Sequence, residues 1–183
     1  MASRDFVSRS TRTFLPREFR KRNNDVVSHD IGTNEYYIYK KIKILGGTNA
    51  IIPWADTDNM IDVAESVVGT NRAIDIDADL YRFLYIKHTG FIDLNETETT
   101  SNRGIIFNLT GTDPTYNGTG LAAPILLRAK ESIVLRPSAN LLQTLKIRPV
   151  IYDVDGAMTT SAYPTATEGV LVEIAAIIKD VSG

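Results

Sequence analysis

Three alternating aspartates form the densest group of potential metal ligands in the chain. Asp75, Asp77 and Asp79 stand at positions i, i+2 and i+4, the spacing of the first carboxylates in a calcium-binding loop. Such a loop would also need Gly at position 80 and Glu at position 86, where this chain has Leu80 and Ile86. On a strand the three carboxylates would share one face, about 7 Å apart. We therefore predict a solvated or interface surface here; an ion bound at this cluster would be a structural calcium.

Other residue patterns give no support for catalysis. The two histidines, His29 and His88, are far apart in the sequence, and there is no cysteine to act as a nucleophile or to complete a metal site. We expect His88 to be a turn residue rather than a ligand. No nucleophile elbow, phosphate-binding loop or dinucleotide-binding glycine motif occurs. The sequence therefore predicts a protein that is not an enzyme and that uses no cofactor.

Positive charge is concentrated at the start of the chain. Residues 1–22 contain seven Arg and Lys but only two acidic residues, whereas the whole chain has a formal net charge of −2. Residues 1–34, here called the N-terminal arm, are rich in Ser, Thr, Arg and Asn and show no helical or strand period. We expect the arm to be extended. Its Phe6, Phe14 and Phe19 would be buried either against a partner or against its own domain.

The rest of the chain, residues 35–183, is predicted to be one β-sandwich domain. In Tyr36–Leu45, Ile42 and Ile44 alternate with Lys41 and Lys43, as expected for a strand with one buried face. Further strands are predicted at Tyr81–Gly90, Gly104–Gly111, Ile125–Arg128, Ser132–Arg136, Leu142–Val150 and Gly169–Asp180, while Thr57–Val68 could be a helical turn or a loop. The fold class is therefore all-β: an antiparallel β-sandwich, jelly-roll-like, with an extended basic N-terminal arm.

Three segments resemble small β-sandwich proteins of the virions of tailed bacteriophages, which decorate or cement the head. The segments are RFLYIKHTG, PILLRAKESIVLRP and LLQTLKIRPV, which lie within residues 82–150. The matching positions are Leu84, Ile86, Lys87, Thr89, Gly90, Ile125, Leu126, Leu127, Glu131, Ile133, Leu135 and Pro137. The resemblance implies a stable β-core without a cofactor and an arm that ties the protein to the shell.

From the charge pattern and this resemblance we expect a non-enzymatic virion protein that docks through its arm. Its partners would be capsid or other virion proteins, or further copies of the chain, for instance in a closed trimer. The resemblance implies a place in the virion, with assembly in the host cytoplasm. We expect no membrane partner, because no apolar run approaches a membrane span. The residues predicted to bind the partner are Arg4, Arg9, Arg12, Phe14, Arg17, Phe19, Arg20, Lys21 and Arg22.

Three alternatives remain open at this point. The arm of a coat protein could bind packaged nucleic acid, although its phenylalanines suit a protein groove better. The protein could belong to a neck, a collar or a fibre attachment rather than to the head. It could also be a carbohydrate-binding module whose loop aromatics stack on sugars; the candidates are Trp54, Tyr116, Tyr152 and Tyr163.

Overall fold

The computed structural model describes residues 5–13, 22–30, 32–47, 50–54, 77–98, 102–115, 124–152 and 168–181. For the first two ranges the description covers the backbone alone. The strands are β1 (Asp5–Thr13), β2 (Arg22–Asp30), β3 (Glu35–Leu45), β4 (Leu80–His88), β5 (Arg103–Asn108), β6 (Ile125–Arg128), β7 (Ser132–Leu135), β8 (Lys146–Ile151) and β9 (Gly169–Lys179). A short 3₁₀ helix, Leu142–Thr144, precedes β8.

Antiparallel pairing joins these strands into three sheets. The large sheet has the order β3-β9-β4-β7, and the small sheet has the order β6-β5-β8. Strands β1 and β2 pair only with each other among the described strands, and are here called the N-terminal hairpin. The predicted all-β antiparallel fold is confirmed. The pairing of β1 with β2 was not predicted, since the arm was expected to lack strand periodicity.

The order of the strands is that of a jelly roll. Ile51, which lies between β3 and β4 in the sequence, forms an isolated antiparallel bridge with Ile147 of β8. This bridge adds a fourth, one-residue member to the small sheet, next to β8. Counted with this bridge, the body has eight positions along the sequence. The large sheet then takes the first, eighth, third and sixth, and the small sheet takes the second, seventh, fourth and fifth. Two four-membered sheets with these crossovers form the jelly-roll arrangement.

Most predicted strands are confirmed, including β9. It is an eleven-residue strand at the centre of the large sheet because Val and Ile dominate it. The predicted strand Leu142–Val150 is wrong at its start, since Leu142–Thr144 turns as a 3₁₀ helix and β8 begins at Lys146. The amide of Leu142 donates to the carbonyl of Asp79, so this turn is held against the start of β4.

The core lies between the two sheets. Inward-facing residues of β3, β4, β9, β5 and β8 are completely or almost completely buried, among them Ile38, Ile86, Ile105, Ile147 and Val172. In β4 the register against β9 shifts between Tyr81 and Phe83. This bulge at Arg82 lets Tyr81 and Leu84 both face the core although they are three residues apart.

Candidate interaction surface on strand β3

The predicted partner-binding residues lie in or beside the N-terminal hairpin. Arg9 is opposite Val26, Arg12 is opposite Asn23, and Arg22 is opposite Thr13 in the backbone register. The other predicted positions lie outside the described residues: Arg4, Phe14, Arg17, Phe19, Arg20 and Lys21. The structure therefore places three of the nine positions on paired strands rather than on an irregular tail.

Strand β3 forms one edge of the large sheet and is eleven residues long. Its even-numbered side chains, such as Ile38 and Ile44, are buried in the core, while its odd-numbered side chains are on the outer face and are partly or largely exposed. The alternation of Ile and Lys in the sequence predicted this division. It could not show that no described strand would pair with β3 on its other side.

The backbone of β3 follows the same alternation. The amide of Gly46 donates to the carbonyl of Glu168, and the amide of Asp180 donates to the carbonyl of Asn34, in register with the β3–β9 ladder. Even-numbered residues of β3 are therefore bonded to β9, and the odd-numbered ones direct their N–H and C=O groups to the other side. Within the described parts of the chain, the backbone groups of Tyr39, Lys41, Lys43 and Leu45 have no partner there. We call this stretch the open edge.

Aromatic side chains cover the outer face next to the open edge. Tyr39 and Tyr85 flank the small Ala175 in the register, and Tyr37 follows two residues away on β3. Tyr39 is 47% exposed, as is Leu45 at the end of the strand. Two of the few exposed large apolar residues in the described regions thus belong to one edge strand.

The carboxylate of Glu173 lies next to these tyrosines on the outer face. Burial and the neighbouring Glu173, which accepts a hydrogen bond from the Tyr39 hydroxyl, raise the pKa of Tyr39 to about 12. In the register Glu173 stands between Lys41 and Lys87, and its carboxylate is 3.2 Å from the Lys87 ammonium. The outer face therefore has an aromatic row and, beside it, a row of paired charges.

A tight loop stands beside these charges. In residues 91–98 the Asp93 carboxylate accepts hydrogen bonds from the amides of Asn95 and Thr97 and from the Thr97 hydroxyl, and these bonds lower the pKa of Asp93. Glu96 adopts a positive φ of 61° at the turn and lies 3.9 Å from the Lys41 ammonium. The hydrogen bonds to Asp93 close the loop on itself, and it presents an exposed Leu94.

The histidine predicted as a turn residue is instead the last residue of β4, where it is completely buried. The Nδ1 atom of His88 accepts a hydrogen bond from the Gly90 amide, and its Nε2 atom lies 3.2 Å from the Arg103 carbonyl. Both ring nitrogens are thus satisfied in a neutral tautomer. Burial lowers the pKa of His88 to about 4, against smaller opposing contributions from the Arg103 carbonyl and Glu131. His88 therefore ties β4 to β5.

Asp79 was expected on a wetted surface, but it is buried and accepts a hydrogen bond of 2.8 Å from the Tyr36 hydroxyl. That expectation is wrong because the carboxylate has partners at the sandwich end, including the Val181 amide at 3.4 Å. Asp77 is exposed, and Asp75 lies outside the described residues. Over the described ranges, no group of three or more His, Asp or Glu residues could hold a metal ion.

Two aromatics proposed as sugar platforms are also part of the packed body. Trp54 is almost completely buried and donates a hydrogen bond to the Tyr81 hydroxyl. Tyr152 is 9% exposed, with the Arg128 guanidinium 5.5 Å above its ring. Tyr116 and Tyr163 lie outside the described residues. Neither described aromatic offers an exposed ring face of the kind that stacks on a sugar.

No family model, no curated protein and no solved structure matches this chain. In the part of the chain that the structure describes, no helix has the length and apolar character to cross a membrane.

Proposed function

We propose that this protein is a non-enzymatic structural component of a phage virion, which decorates or cements the capsid and docks through its N-terminal arm. The observation that carries the proposal is the jelly-roll order of the two sheets, because this architecture recurs in viral capsid domains. The resemblance of residues 82–150 to virion decoration proteins agrees with it. The jelly roll also occurs in lectins and cupins, so the proposal draws on the arm as well.

The arm supports docking for two physical reasons. Among the described strands β1 and β2 pair only with each other, and an isolated two-stranded hairpin is marginally stable in water, so a partner surface would stabilise them. Residues 1–22 carry a net positive charge, whereas the rest of the chain carries a net negative charge. An arm of this kind can cover much surface for its length, and its arginines can form bidentate bonds with carboxylates.

A virion role is tested by following the chain into particles. In the test variant, Arg4, Arg17 and Arg20 are all changed to Gln, and in the matched control the same three are changed to Lys. We expect the Gln variant to fold but to be severalfold depleted in purified particles, and the Lys variant to be retained more fully because it keeps the charge. Equal incorporation of the Gln variant and the unaltered chain would contradict docking through these arginines.

The second candidate is a coat protein whose arm binds packaged nucleic acid, and the charge distribution is the observation that favours it. Phosphate binding by several cations would fall steeply with salt concentration. Filter binding of single-stranded DNA and RNA to the full chain at two salt concentrations distinguishes the candidates. Retention at low salt that is lost at high salt, and lost in the Gln variant, would favour nucleic acid over a protein partner.

The same structural role could also be carried out at the neck, at the collar or at a fibre attachment instead of on the head. Electron cryo-microscopy of particles that contain the tagged chain would separate these positions from a head position. We expect density on the capsid lattice. Density confined to the portal vertex would replace decoration with attachment.

A further inference from the structure

We propose that the open edge of β3 receives the N-terminal hairpin of a second copy of this chain, so that the large sheet continues from one molecule into the next. The proposal deepens the proposed function, because it names what the arm docks on. It also concerns an association that the purified chain would show without any particle. Addition of a strand to an exposed sheet edge is a common mode of recognition between chains.

The first argument is the match between two unsatisfied parts of the molecule. The open edge extends from Tyr39 to Leu45, and in the described regions its outward N–H and C=O groups have no partner. Strands β1 and β2 are each nine residues long, which is enough to span it, and they pair with no described strand except each other. One hairpin strand laid on β3 would satisfy both sets of backbone groups.

The second argument concerns the side chains that an added strand would meet. Tyr39 and Leu45 are both 47% exposed on the outer face of β3. A neighbouring strand would place alternate residues beside them, at about 5 Å between opposite Cβ atoms. This contact would remove two large apolar side chains from water.

The third argument is why the occupant comes from a second copy. The turn between β2 and β3 is closed by a hydrogen bond of 3.2 Å from the Glu35 amide to the Gly32 carbonyl. Of its two central residues, Asn34 has a φ of 61°, whereas Thr33 is not among the described residues with positive φ. This is the pattern of a type II turn, which splays the flanking strands, unlike the I′ and II′ turns of paired hairpins. A turn of this type therefore does not favour pairing of β2 with the open edge of its own molecule.

Charge does not oppose this pairing. The sequences of β1 and β2 together contain three arginines and three aspartates, so these strands can lie beside Lys41 and Lys43. The remaining basic residues of the arm lie before β1 or between the two strands, at Arg4, Arg17, Arg20 and Lys21. The hairpin strands would thus bind the next copy, and these residues would remain for an acidic partner.

The direct test uses disulfide trapping between two differently tagged full-length chains. The natural sequence has no cysteine, so an introduced pair reports without background. One chain carries only Tyr39→Cys. The other carries one cysteine at successive positions from Val7 to Ser10, or from Val26 to His29. We expect a mixed disulfide between the two tags on one hairpin strand, strongest at alternate positions, because opposite residues of paired strands meet the Cα distance that a disulfide needs.

Two results of the trapping would overturn the proposal. In one, the mixed sample gives no mixed disulfide, while a single chain with both cysteines closes an internal one; the hairpin would then pair within its own molecule. In the other, neither sample forms a disulfide at any position of the two series. A purified full-length chain that stays monomeric up to millimolar concentration would also overturn it.

A matched pair of variants tests the backbone of the open edge. Lys43→Pro removes an N–H that points away from β9, so it should leave the sandwich folded, as proline is tolerated on sheet edges. Lys43→Ala removes the same side chain but keeps the N–H. By sedimentation we expect self-association about tenfold weaker or worse for Lys43→Pro, and little change for Lys43→Ala. Equal association by both variants would contradict strand addition at this edge.

The turn gives a second, independent pair. Changing Thr33→Asn and Asn34→Gly together creates the Asn-Gly sequence that favours a type I′ turn, which should let β2 pair with its own β3 and reduce association. Asn34→Gly alone suits a type II turn and should leave association unchanged. Reduced association in both variants, or in neither, would argue against the role of the turn. Failure of all these tests with normal incorporation into particles would reject the β3 edge and leave the virion role standing.

Discussion

The two sets of residues in β3 differ in every respect that decides their role. Even-numbered residues such as Ile38 bury their side chains in the core and bond through their backbone to β9. Odd-numbered residues such as Tyr39 lie on the outer face, and from position 39 onward their backbone groups point to the open edge. One strand thus contributes stability through one set and a surface for association through the other. Substitutions at adjacent positions should therefore have effects that separate cleanly.

The two edges of the large sheet show a related contrast. At one edge β7 has four residues, whereas at the other β3 has eleven. Natural proteins commonly shorten an edge strand to prevent pairing with other chains. The sheet follows this rule at β7 and departs from it at β3, which agrees with a partner at the longer edge.

The largest effect is expected at an even-numbered position. Ile38→Ala would leave a cavity in the core and lower the free energy of unfolding by about 2–5 kcal/mol, measured by urea denaturation. The neighbouring Tyr39→Ala removes a half-exposed side chain and should cost less than about 1 kcal/mol. Similar losses for the two variants would mean that the inward and outward sets of β3 are not energetically distinct.

The buried histidine should make the core sensitive to acid. Because the pKa of His88 is lowered to about 4 in the folded protein, the unfolded chain takes up this proton first as the pH falls. The free energy of unfolding should therefore decrease by about 2–3 kcal/mol between pH 7 and pH 4, and level off for this group below that.

The comparison for this prediction is His88→Gln, whose amide can both accept and donate but does not titrate. Denaturation at several pH values should give a flatter profile for this variant, whatever its stability at pH 7. Parallel profiles for the variant and the natural chain would assign the acid sensitivity to other groups.

A smaller effect is expected at the Tyr36 hydroxyl. Tyr36→Phe keeps the ring in the core but deprives the buried Asp79 carboxylate of a hydrogen bond, which should cost about 1–3 kcal/mol. Tyr37→Phe removes the hydroxyl of the adjacent outward residue and serves as the matched control. Chemical denaturation should show the smaller change for Tyr37→Phe; the reverse order would contradict the described environment of Asp79.

The smallest effect concerns the spectrum of the outer face. Tyr39 should ionise only near pH 12, because of burial and the neighbouring Glu173. Replacing the carboxylate by Glu173→Gln should lower the pKa of Tyr39. The measurement is the ultraviolet absorbance of tyrosinate as a function of pH, recorded for the natural chain and for Glu173→Gln. The same titration of a Tyr39→Phe variant identifies the contribution of Tyr39. An unchanged titration would show that Glu173 does not act on this tyrosine.

Much of the body could be predicted from local patterns, because alternating or continuous apolar runs bounded by Gly, Pro and Asn specify strands. The bulge at Arg82 could not be predicted from the sequence, since it depends on the register of β4 against β9. The burial of Asp79 and Trp54 could not be predicted either, because each side chain forms a hydrogen bond with a tyrosine that is distant in the sequence. Polarity and aromaticity alone do not show where a hydrogen-bond partner lies.

The candidate site was predicted only in part. The charge of the arm was visible in the sequence, and so was the alternation of Ile and Lys in β3. Little in the sequence indicated that β1 pairs with β2, because Ser, Thr and Arg follow one another in β1 without regular apolar alternation. Nothing in the sequence indicated the open edge, because it results from which strands occupy the neighbouring positions in a non-local sheet.

The pairing of β3 with β9 also sets a condition on synthesis. In the sequence, β3 is the first and β9 the last described strand of the jelly-roll body, so β3 leaves the ribosome long before β9 is made. Until β9 has been made, the side of β3 that pairs with it lacks its neighbour, and contacts of such long range form slowly. Nascent chains on one messenger would be at risk of premature pairing through this strand, and a holding chaperone would be most useful during that interval.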